Sequence, residues 1–205
     1  ATACDDMISG VTLVMRQEEY FSDMPKETYI KSLLGYEEET NYAHLPALLD
    51  ETGEDLDLQS NATLKWLFEE GFIPDAIVNY LISLGFETPS EFFIMPQALE
   101  WFDITQLSHA PVTFEIETLK RINREHLAMM SNRDLSTLFG FADEEVGKLA
   151  KLYLKEVSTI NALESKIRPI FEPKDFSGTY GMQMKTLSDI IFNAPMINDY
   201  EAFKA

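Results

Sequence analysis

The chain has 205 residues, of which 45% are hydrophobic and 12% aromatic, and a formal net charge of −19. This length and composition fit one large or two small globular domains without low-complexity tracts. No apolar run approaches the roughly 20 residues of a membrane-spanning helix, and no secretory leader is visible. The single cysteine, Cys4, excludes an internal disulfide. We therefore expect a soluble, cytoplasmic protein with no membrane partner.

The charge is unevenly distributed along the chain. Residues 1–117 hold 23 acidic and 4 basic residues, whereas residues 118–205 hold 12 of each. Because phosphate backbones are bound chiefly through Lys and Arg, nucleic-acid contact is expected only from the second part. Most of the acidic residues are expected to form a solvated surface.

In chain order, residues 3–16 ("ACDDMISGVTLVMR") predict a strand, a turn at Ser9-Gly10 and a second strand. From there the apolar spacing and the positions of Pro and Gly are typical of helices. The predicted helices span 25–35, 63–71, 74–85, 95–102, 115–130, 143–157, 160–167 and 185–193. The turn residues in 171–181 predict a connection, and a boundary near 111–135 is predicted to separate a mixed part from an all-helical part.

Both ends of the chain read as cuts through secondary structure. The sequence begins without Met and ends in "NDYEAFKA", residues 198–205, which predicts a helix without a cap. We therefore expect a fragment of a longer protein.

A compact acidic segment, "DETGEDLDLQ" at 50–59, is the most unusual local feature. It does not match a calcium-binding EF-hand loop. Counted from Asp55, position six is Ser60 instead of Gly, and position twelve is Trp66 instead of Glu. From residue chemistry alone, a solvated loop and a cation-binding loop are both conceivable.

The three histidines, His44, His109 and His126, have no Cys or carboxylate partner at metal-ligand spacing. His126 lies in helical register with Leu119 and Ile122, which favours a core or boundary histidine. The sequence contains no glycine-rich phosphate loop, nucleophile elbow or Cys-His pair. Residue chemistry alone therefore predicts no metal site and no catalytic site.

The order of four segments resembles the second half of bacterial glutamyl-tRNA synthetases. That family reads approximately DDxLxGITxVIRGEDHxSNTPKQ, then AHLPLILxxxGKKLSKR, then GYLPEALLNYLxxLG, then SPAxFxxEKLxxLNxxYL. The corresponding segments here are "CDDMISGVTLVMRQEEYFSDMPKETYIKSLLG" (4–35), "YAHLPALLDETG" (42–53), "GFIPDAIVNYLISLGF" (71–86) and "LSHAPVTFEIETLKRINREHL" (107–127). The resemblance covers residues 2–130 in colinear order.

This resemblance indicates which loop of the family corresponds to the acidic segment. The family carries its KMSKS signature after "HLPALL", and the lysines of that loop place positive charge on the triphosphate of ATP. Here Glu54, Asp55, Asp57 and Leu58 stand where the lysines and the serine belong. The resemblance implies a degenerate KMSKS region whose reversed charge repels the nucleotide.

Other site residues are also implied by the resemblance. Arg16 matches the arginine that pairs with the substrate carboxylate, and Thr2 falls near a position that lines the amino-acid pocket. Tyr20, Ala47 and Leu48 match nucleotide-binding positions. A surface arginine at a strand end is the alternative interpretation of Arg16.

The implied fold is mainly α, with a small α/β N-terminal part. Residues 1–60 are expected to be the C-terminal part of a Rossmann-type catalytic domain, 61–130 a stem-contact-like helical region, and 131–205 a partial helical anticodon-binding domain. The half that carries the HIGH signature, roughly 200 residues, is expected to precede Ala1 in a complete parent protein.

The implied function is that of a glutamyl-tRNA synthetase-like segment in tRNA aminoacylation, unable to catalyse adenylation on its own. The alternatives are a degenerate, non-catalytic paralogue that binds tRNA or protein, and an acidic scaffold for a basic partner. No intrinsic cofactor is expected; ATP and Mg²⁺ belong to the family. The possible partners are the missing N-terminal half, a protein, or a tRNA. The residues considered for tRNA contact, or simply for a solvated helix face, are Lys120, Arg121, Arg124 and Arg133.

Overall fold

The computed structural model describes residues 2–56, 63–173 and 175–194. The chain divides into two compact units, Ala1–Ile167 and Arg168–Ala205. The fold is mostly helical with short parallel strands in the first unit, which confirms the predicted fold class. The predicted domain boundaries after residues 60 and 130 stay predictions. The predicted helix at 198–205 lies outside the described residues.

The first elements form a small α/β layer. They are α1 (Thr2–Ile8), β1 (Leu13–Gln17), a 3-10 helix (Glu18–Asp23), α2 (Met24–Leu33) and β2 (Asn41–Leu45). The strands β1 and β2 are parallel, and the connection between them passes through α2. This arrangement is the βαβ unit of nucleotide-binding folds.

The first predicted strand, before the Ser9-Gly10 turn, is wrong because these residues form α1. Ala3 and Met7 are four residues apart, which is helical spacing, and Ala3 is buried. Gly10 takes a φ of +65° directly after the helix, a conformation that favours glycine at a helix end. The second predicted strand is confirmed as β1.

A second pair of parallel strands, β3 (Leu48–Leu49) and β4 (Val112–Thr113), is separated in sequence by three helices. These helices are α3 (Leu64–Glu69), α4 (Pro74–Gly85) and α5 (Met95–Trp101). A 3-10 turn at Ile104–Gln106 precedes β4. Leu48 lies opposite Val112, which connects the segment before the acidic loop to the start of the C-terminal helices.

The remaining helices are α6 (Ile116–Met129), α7 (Asn132–Thr137), α8 (Glu144–Tyr153), α9 (Ile160–Phe171) and α10 (Thr179–Asn193). Every predicted helical window before residue 194 contains a helix. The sequence prediction missed α7, and it placed the start of α10 too late. Helix α7 is short, and Ser131 caps it by accepting the N–H of Asp134.

The core of the first unit lies among the helices. Leu119, Ile122, Leu163 and Ile167 are fully buried, and Leu67 of α3 joins the same cluster. The predicted apolar stripe of α8 is confirmed. Three of its members are buried and the others pack against the cluster: Val146, Ala150 and Leu154, then Leu149, Tyr153 and Val157.

The predicted apolar face of α3 is only partly right. Leu67 is buried, but Leu64 and Phe68 are 56% and 51% exposed. Trp66 packs against the core in their place. Among the helices of the described residues, none is both long enough and apolar enough to cross a membrane. In the second unit, α10 exposes its apolar side chains.

Candidate functional site

The carboxyl ends of the parallel strands β1 and β2 hold the candidate site. Arg16 and His44 are register partners, each one residue before the end of its strand. Residues directly opposite in a sheet point to the same face, so both side chains lie on one face at this end. In parallel α/β sheets, the carboxyl ends of the strands are where ligands bind.

Arg16 is held from α2. Its Nη1 donates to Oε1 of Glu27 at 3.0 Å, and the two side chains are only 16% and 15% exposed. The guanidinium carbon lies 5.3 Å from the centre of the Tyr42 ring, within cation–π range. Burial and the Glu27 charge raise the pKa of Tyr42. These contacts favour an internal role for Arg16 over the interpretation as a surface arginine.

A second cation, Lys31, is buried beside Arg16. Its Nζ donates to Oγ1 of Thr40 at 3.0 Å and lies 3.9 Å from Oδ2 of Asp6. Nζ is also 5.9 Å from the centre of the Tyr42 ring. Together with Arg16 and Glu27, this makes a cluster of two cations and two carboxylates that is neutral as a whole.

Sequence reasoning missed Glu27, Lys31 and Tyr42. A signal for them was present, because Glu27 and Lys31 are four residues apart on α2 and so share a helix face. Tyr42 is two residues before His44, so the two side chains share a face of β2. Their rings stack at 6.4 Å, and Phe21 meets the buried His44 edge-on at 5.2 Å.

The acidic segment begins as a tight hairpin after β3. Asp55 forms an antiparallel bridge with Leu49. Oδ1 of Asp50 accepts the N–H and hydroxyl of Thr52 and the N–H of Glu54. These hydrogen bonds lower the pKa of Asp50, with that from the Thr52 hydroxyl the strongest. Of the four positions that the resemblance assigns to the KMSKS loop, Glu54 and Asp55 lie in this hairpin, while Asp57 and Leu58 lie outside the described residues.

A pocket of about 250 Å³ joins the hairpin to the end of β1. It brings together two predicted nucleotide-binding residues, Ala47 and Leu48, and Asp55 of the acidic segment. The lining residues are Gln17, Glu18, Glu19, Ala47, Leu48, Asp55 and Leu56. Three of them are carboxylates, and none of these described residues is basic.

The other predicted site residues lie outside this lining. Tyr20 follows Glu19 in the 3-10 helix and is 45% exposed. Thr2 is exposed at the start of α1. Glu18 faces His109, whose Nδ1 lies 3.5 Å from Oε2 of the carboxylate.

The electrostatics of the pocket do not fit a triphosphate. Like charges a few ångströms apart repel, and no lysine or arginine among the described lining residues offsets Glu18, Glu19 and Asp55. The carboxylates do not form a metal centre either. In residues 2–56, 63–173 and 175–194, no three His, Cys, Asp or Glu side chains are grouped closely enough to hold a metal ion.

The residues considered for tRNA contact differ in their surroundings. On α6, Nζ of Lys120 donates to Oε1 of Glu117 at 2.7 Å. Arg121 pairs with Glu91 and lies 3.9 Å from Glu125, and the first of these pairs raises the pKa of the guanidinium. The charges of both cations are therefore partly neutralised by neighbouring carboxylates.

The other two residues are arranged differently. Nη2 of Arg124 donates to Oγ of Ser158 at 2.6 Å, which fixes this side chain against the segment before α9. Arg133 lies on α7 and is exposed. No salt bridge of Arg133 is formed within the described part of the chain. Arg133 is thus the most accessible positive charge of the four.

Comparison with known proteins places this arrangement in context. Residues 1–121 match the family model of tRNA synthetases class I (E and Q), catalytic domain. Over its full length the chain is 55% identical to "Glutamate--tRNA ligase 2" of Sulfurovum sp. and 42% identical to the protein of that name from Sulfurimonas denitrificans. In each case it covers 48% of the relative, so it spans about half the length of the curated relatives it matches.

Solved structures agree on the fold. A glutamate tRNA ligase from Elizabethkingia meningosepticum superposes with a TM-score of 0.71 at 20% identity. The match covers 94% of this chain and 46% of the solved chain. The glutamate-tRNA synthetase of Elizabethkingia anophelis gives the same TM-score. At this identity the likeness concerns the fold alone.

Proposed function

Because the chain belongs to the class I tRNA synthetases for glutamate and glutamine, we propose that it serves tRNA aminoacylation as part of a glutamate–tRNA ligase. The observation that carries the proposal is the position of Arg16. It is a half-buried cation at the carboxyl end of a parallel strand, in a βαβ unit of the matched domain. This is a suitable place for an arginine that binds the carboxylate of an amino acid.

The proposal includes tRNA contact through the C-terminal helices. It is supported by the balanced charge of residues 118–205 and by the exposed Arg133 on α7. Lys120 and Arg121 contribute less, because neighbouring carboxylates already pair with them. The only observation that supports a protein partner is the excess of acidic residues.

Fluorescence anisotropy with labelled glutamate-accepting tRNA tests this function, at low and at near-physiological salt. We expect binding that weakens as salt rises, because phosphate contacts release counterions. A tRNA that accepts a different amino acid serves as the control. The absence of binding at low salt would contradict a tRNA-handling role for this chain.

A second candidate function is that of a non-catalytic module derived from a synthetase. The observation that favours it is the acidic pocket, where Glu18, Glu19 and Asp55 would oppose the charge of ATP. The two candidates differ in one property, the formation of glutamyl-adenylate when the other half of the ligase is present. We propose that the chain alone does not form it, and glutamate-dependent ATP–pyrophosphate exchange by the purified chain would contradict this.

A further inference from the structure

A second polar pocket, of about 380 Å³, lies between α4, β4 and the first turn of α6. Among the described residues it shares none with the acidic pocket beside β1. Two carboxylates and two apolar side chains form part of its lining. The other five lining residues all carry a hydroxyl group: Tyr80, Ser83, Thr88, Thr113 and Thr118.

Tyr80 supplies a buried hydrogen-bond donor to this pocket. The residue is only 2% exposed, and its ring meets that of Phe114 edge-on at 5.5 Å. Its hydroxyl accepts the N–H of Glu115 at 2.6 Å, and no group of the described residues accepts the hydroxyl hydrogen. Burial raises the pKa of Tyr80 to about 12, so the hydroxyl keeps its hydrogen at neutral pH. Because an unpaired buried donor is costly, this hydrogen points to a ligand group that accepts it.

The carboxylates of Glu91 and Glu115 supply acceptors to the same pocket. Oε2 of Glu115 accepts the hydroxyl of Thr118 at 2.9 Å, which orients this carboxylate. Glu91 pairs with Arg121, which offsets its negative charge. The pocket therefore combines hydroxyl donors with carboxylate acceptors, and a neighbouring cation balances one of the two negative charges.

This lining disfavours several classes of ligand. Glu91 and Glu115 repel an anion, and an apolar ligand would leave the hydroxyls without partners. In the part of the chain that the structure describes, no three His, Cys, Asp or Glu side chains are grouped closely enough to hold a metal ion. A neutral ligand with several hydroxyls fits best, because each of them can donate to a carboxylate and accept from a hydroxyl.

We propose that this pocket is a binding site for a ribose ring whose 2′- and 3′-hydroxyls are both free. Glu115 accepts from this diol, as acidic residues do from ribose hydroxyls in dinucleotide-binding folds. Tyr80 and Thr113 donate to the diol oxygens, while Leu84 and Ile122 contact the carbon atoms of the ring. The cavity is at the small end of the range for ligand pockets, which suits a single sugar ring.

A free ribonucleoside and the 3′-terminal nucleotide of an RNA both carry this diol. The inference goes beyond the proposed function and does not depend on it. The test of tRNA binding concerns Arg133 on α7, which is not part of this pocket.

Titration of the full chain with methyl β-D-ribofuranoside, followed by NMR, tests the inference. This probe is neutral, and its ring is fixed in the furanose form. We expect saturable binding in the millimolar range, as for other small neutral ligands. The 2-deoxy analogue should bind about tenfold more weakly, because the polar groups of the site then lose a partner. This comparison uses only the unaltered chain, so it does not depend on the folding of any variant.

A double variant, Thr88→Val with Thr113→Val, removes two hydroxyls and keeps the shape of the side chains. It should lose about tenfold in affinity for the ribofuranoside. Thr12→Val with Thr137→Val makes the same change at exposed residues outside the pocket and should leave the affinity unchanged. The inference would be overturned by no saturable binding to the unaltered chain, by equal affinity for the 2-deoxy analogue, or by unchanged affinity in the pocket variant.

Competition against the ribofuranoside identifies the source of the ribose. The competitors are uridine and a short oligouridine whose 3′ end is either free or phosphorylated. Displacement by uridine alone assigns the site to a free ribonucleoside. Displacement by the oligouridine only when its 3′ end is free assigns the site to an RNA end, and either result supports the ribose site. Displacement by neither competitor would overturn it, because both carry the diol.

Discussion

Nε2 of His126 lies 3.1 Å from Oδ1 of Asn79, and both side chains are buried between α6 and α4. The same Oδ1 accepts the N–H of Phe93, and Nδ2 of Asn79 donates to the carbonyl of Glu91. Because an amide oxygen can only accept, Nε2 of His126 must carry the hydrogen. One amide therefore joins two helices to the segment before α5.

Replacing Asn79 by Ala should lower the free energy of unfolding by about 3 kcal/mol. The substitution leaves a buried backbone N–H and the imidazole without their acceptor. Chemical denaturation followed by circular dichroism measures the change. Asn41→Ala, at an exposed position of β2, is the matched control and should change stability by less than about 0.5 kcal/mol. Equal effects of the two substitutions would contradict the role of the Asn79 amide.

The stability of the fold should fall as the pH drops below about 6.5. Burial lowers the pKa of His126, although the charge of Asp75 opposes this effect. The folded state therefore binds a proton less readily than the unfolded state, whose histidine titrates near its ordinary pKa. The stability that the neutral ring provides is complete above that value and is lost as the pH falls toward the lowered pKa.

Denaturant unfolding at several pH values between about 5 and 8 measures this dependence on His126. His126→Gln should reduce the slope in this range. An unchanged slope in His126→Gln would contradict the assignment.

Gly147 of α8 should not tolerate a side chain. A Cβ at this position would lie 1.9 Å from the carbonyl oxygen of Asn132, a backbone atom that cannot move away easily. In an open helix, Gly→Ala is stabilising by about 1 kcal/mol. Here we expect Gly147→Ala to destabilise by about 3 kcal/mol. Gly178→Ala is the control, because nothing lies within 4 Å of its Cβ, and thermal unfolding of the two variants compares them. A higher melting temperature for Gly147→Ala would contradict this close approach.

Arg133 should contribute more to tRNA binding than Lys120. Arg133 is exposed on α7, whereas the charge of Lys120 is partly neutralised by an ion pair with Glu117 at 2.7 Å. In the anisotropy assay, Arg133→Ala should weaken binding at low salt by severalfold and reduce the salt slope by about one. Lys120→Ala should have the smaller effect. The reverse order would indicate that the pairing on α6 does not govern tRNA contact.

The sequence predicted the helices well because their signals are local. Pro74 begins α4 and Gly85 ends it, and the apolar positions of α8 repeat at helical spacing. The prediction for residues 3–8 is wrong because so short a segment before Ser9-Gly10 suits a strand or a helix. Only tertiary contact, the burial of Ala3, separates these possibilities.

The candidate site residues stay predictions. Arg16 was selected through a resemblance to known motifs, which are local in sequence, and the acidic segment through its composition. The partners of Arg16 were missed because Glu27 and Tyr42 reach it only through the parallel pairing of β1 with β2 across α2. Such pairing depends on long-range contacts that a single sequence does not encode in any short pattern.

We propose that the acidic lining of the pocket beside β1 excludes a nucleotide, and the affinity of the chain for Mg·ATP measures this property. The unaltered chain is compared with the variant Glu18→Gln, Glu19→Gln and Asp55→Asn, which removes the three carboxylates of the lining. Neutralising Glu37, Glu38 and Glu39, which are exposed residues outside the pocket, changes the net charge equally and serves as the control.

We expect no saturable binding of Mg·ATP by the unaltered chain or by the control. The pocket variant should gain at least about tenfold in affinity, because each removed charge contributes roughly 1 kcal/mol at short range. Mg·ATP binding by the unaltered chain that equals or exceeds that of the pocket variant would show that the three lining carboxylates do not exclude the nucleotide.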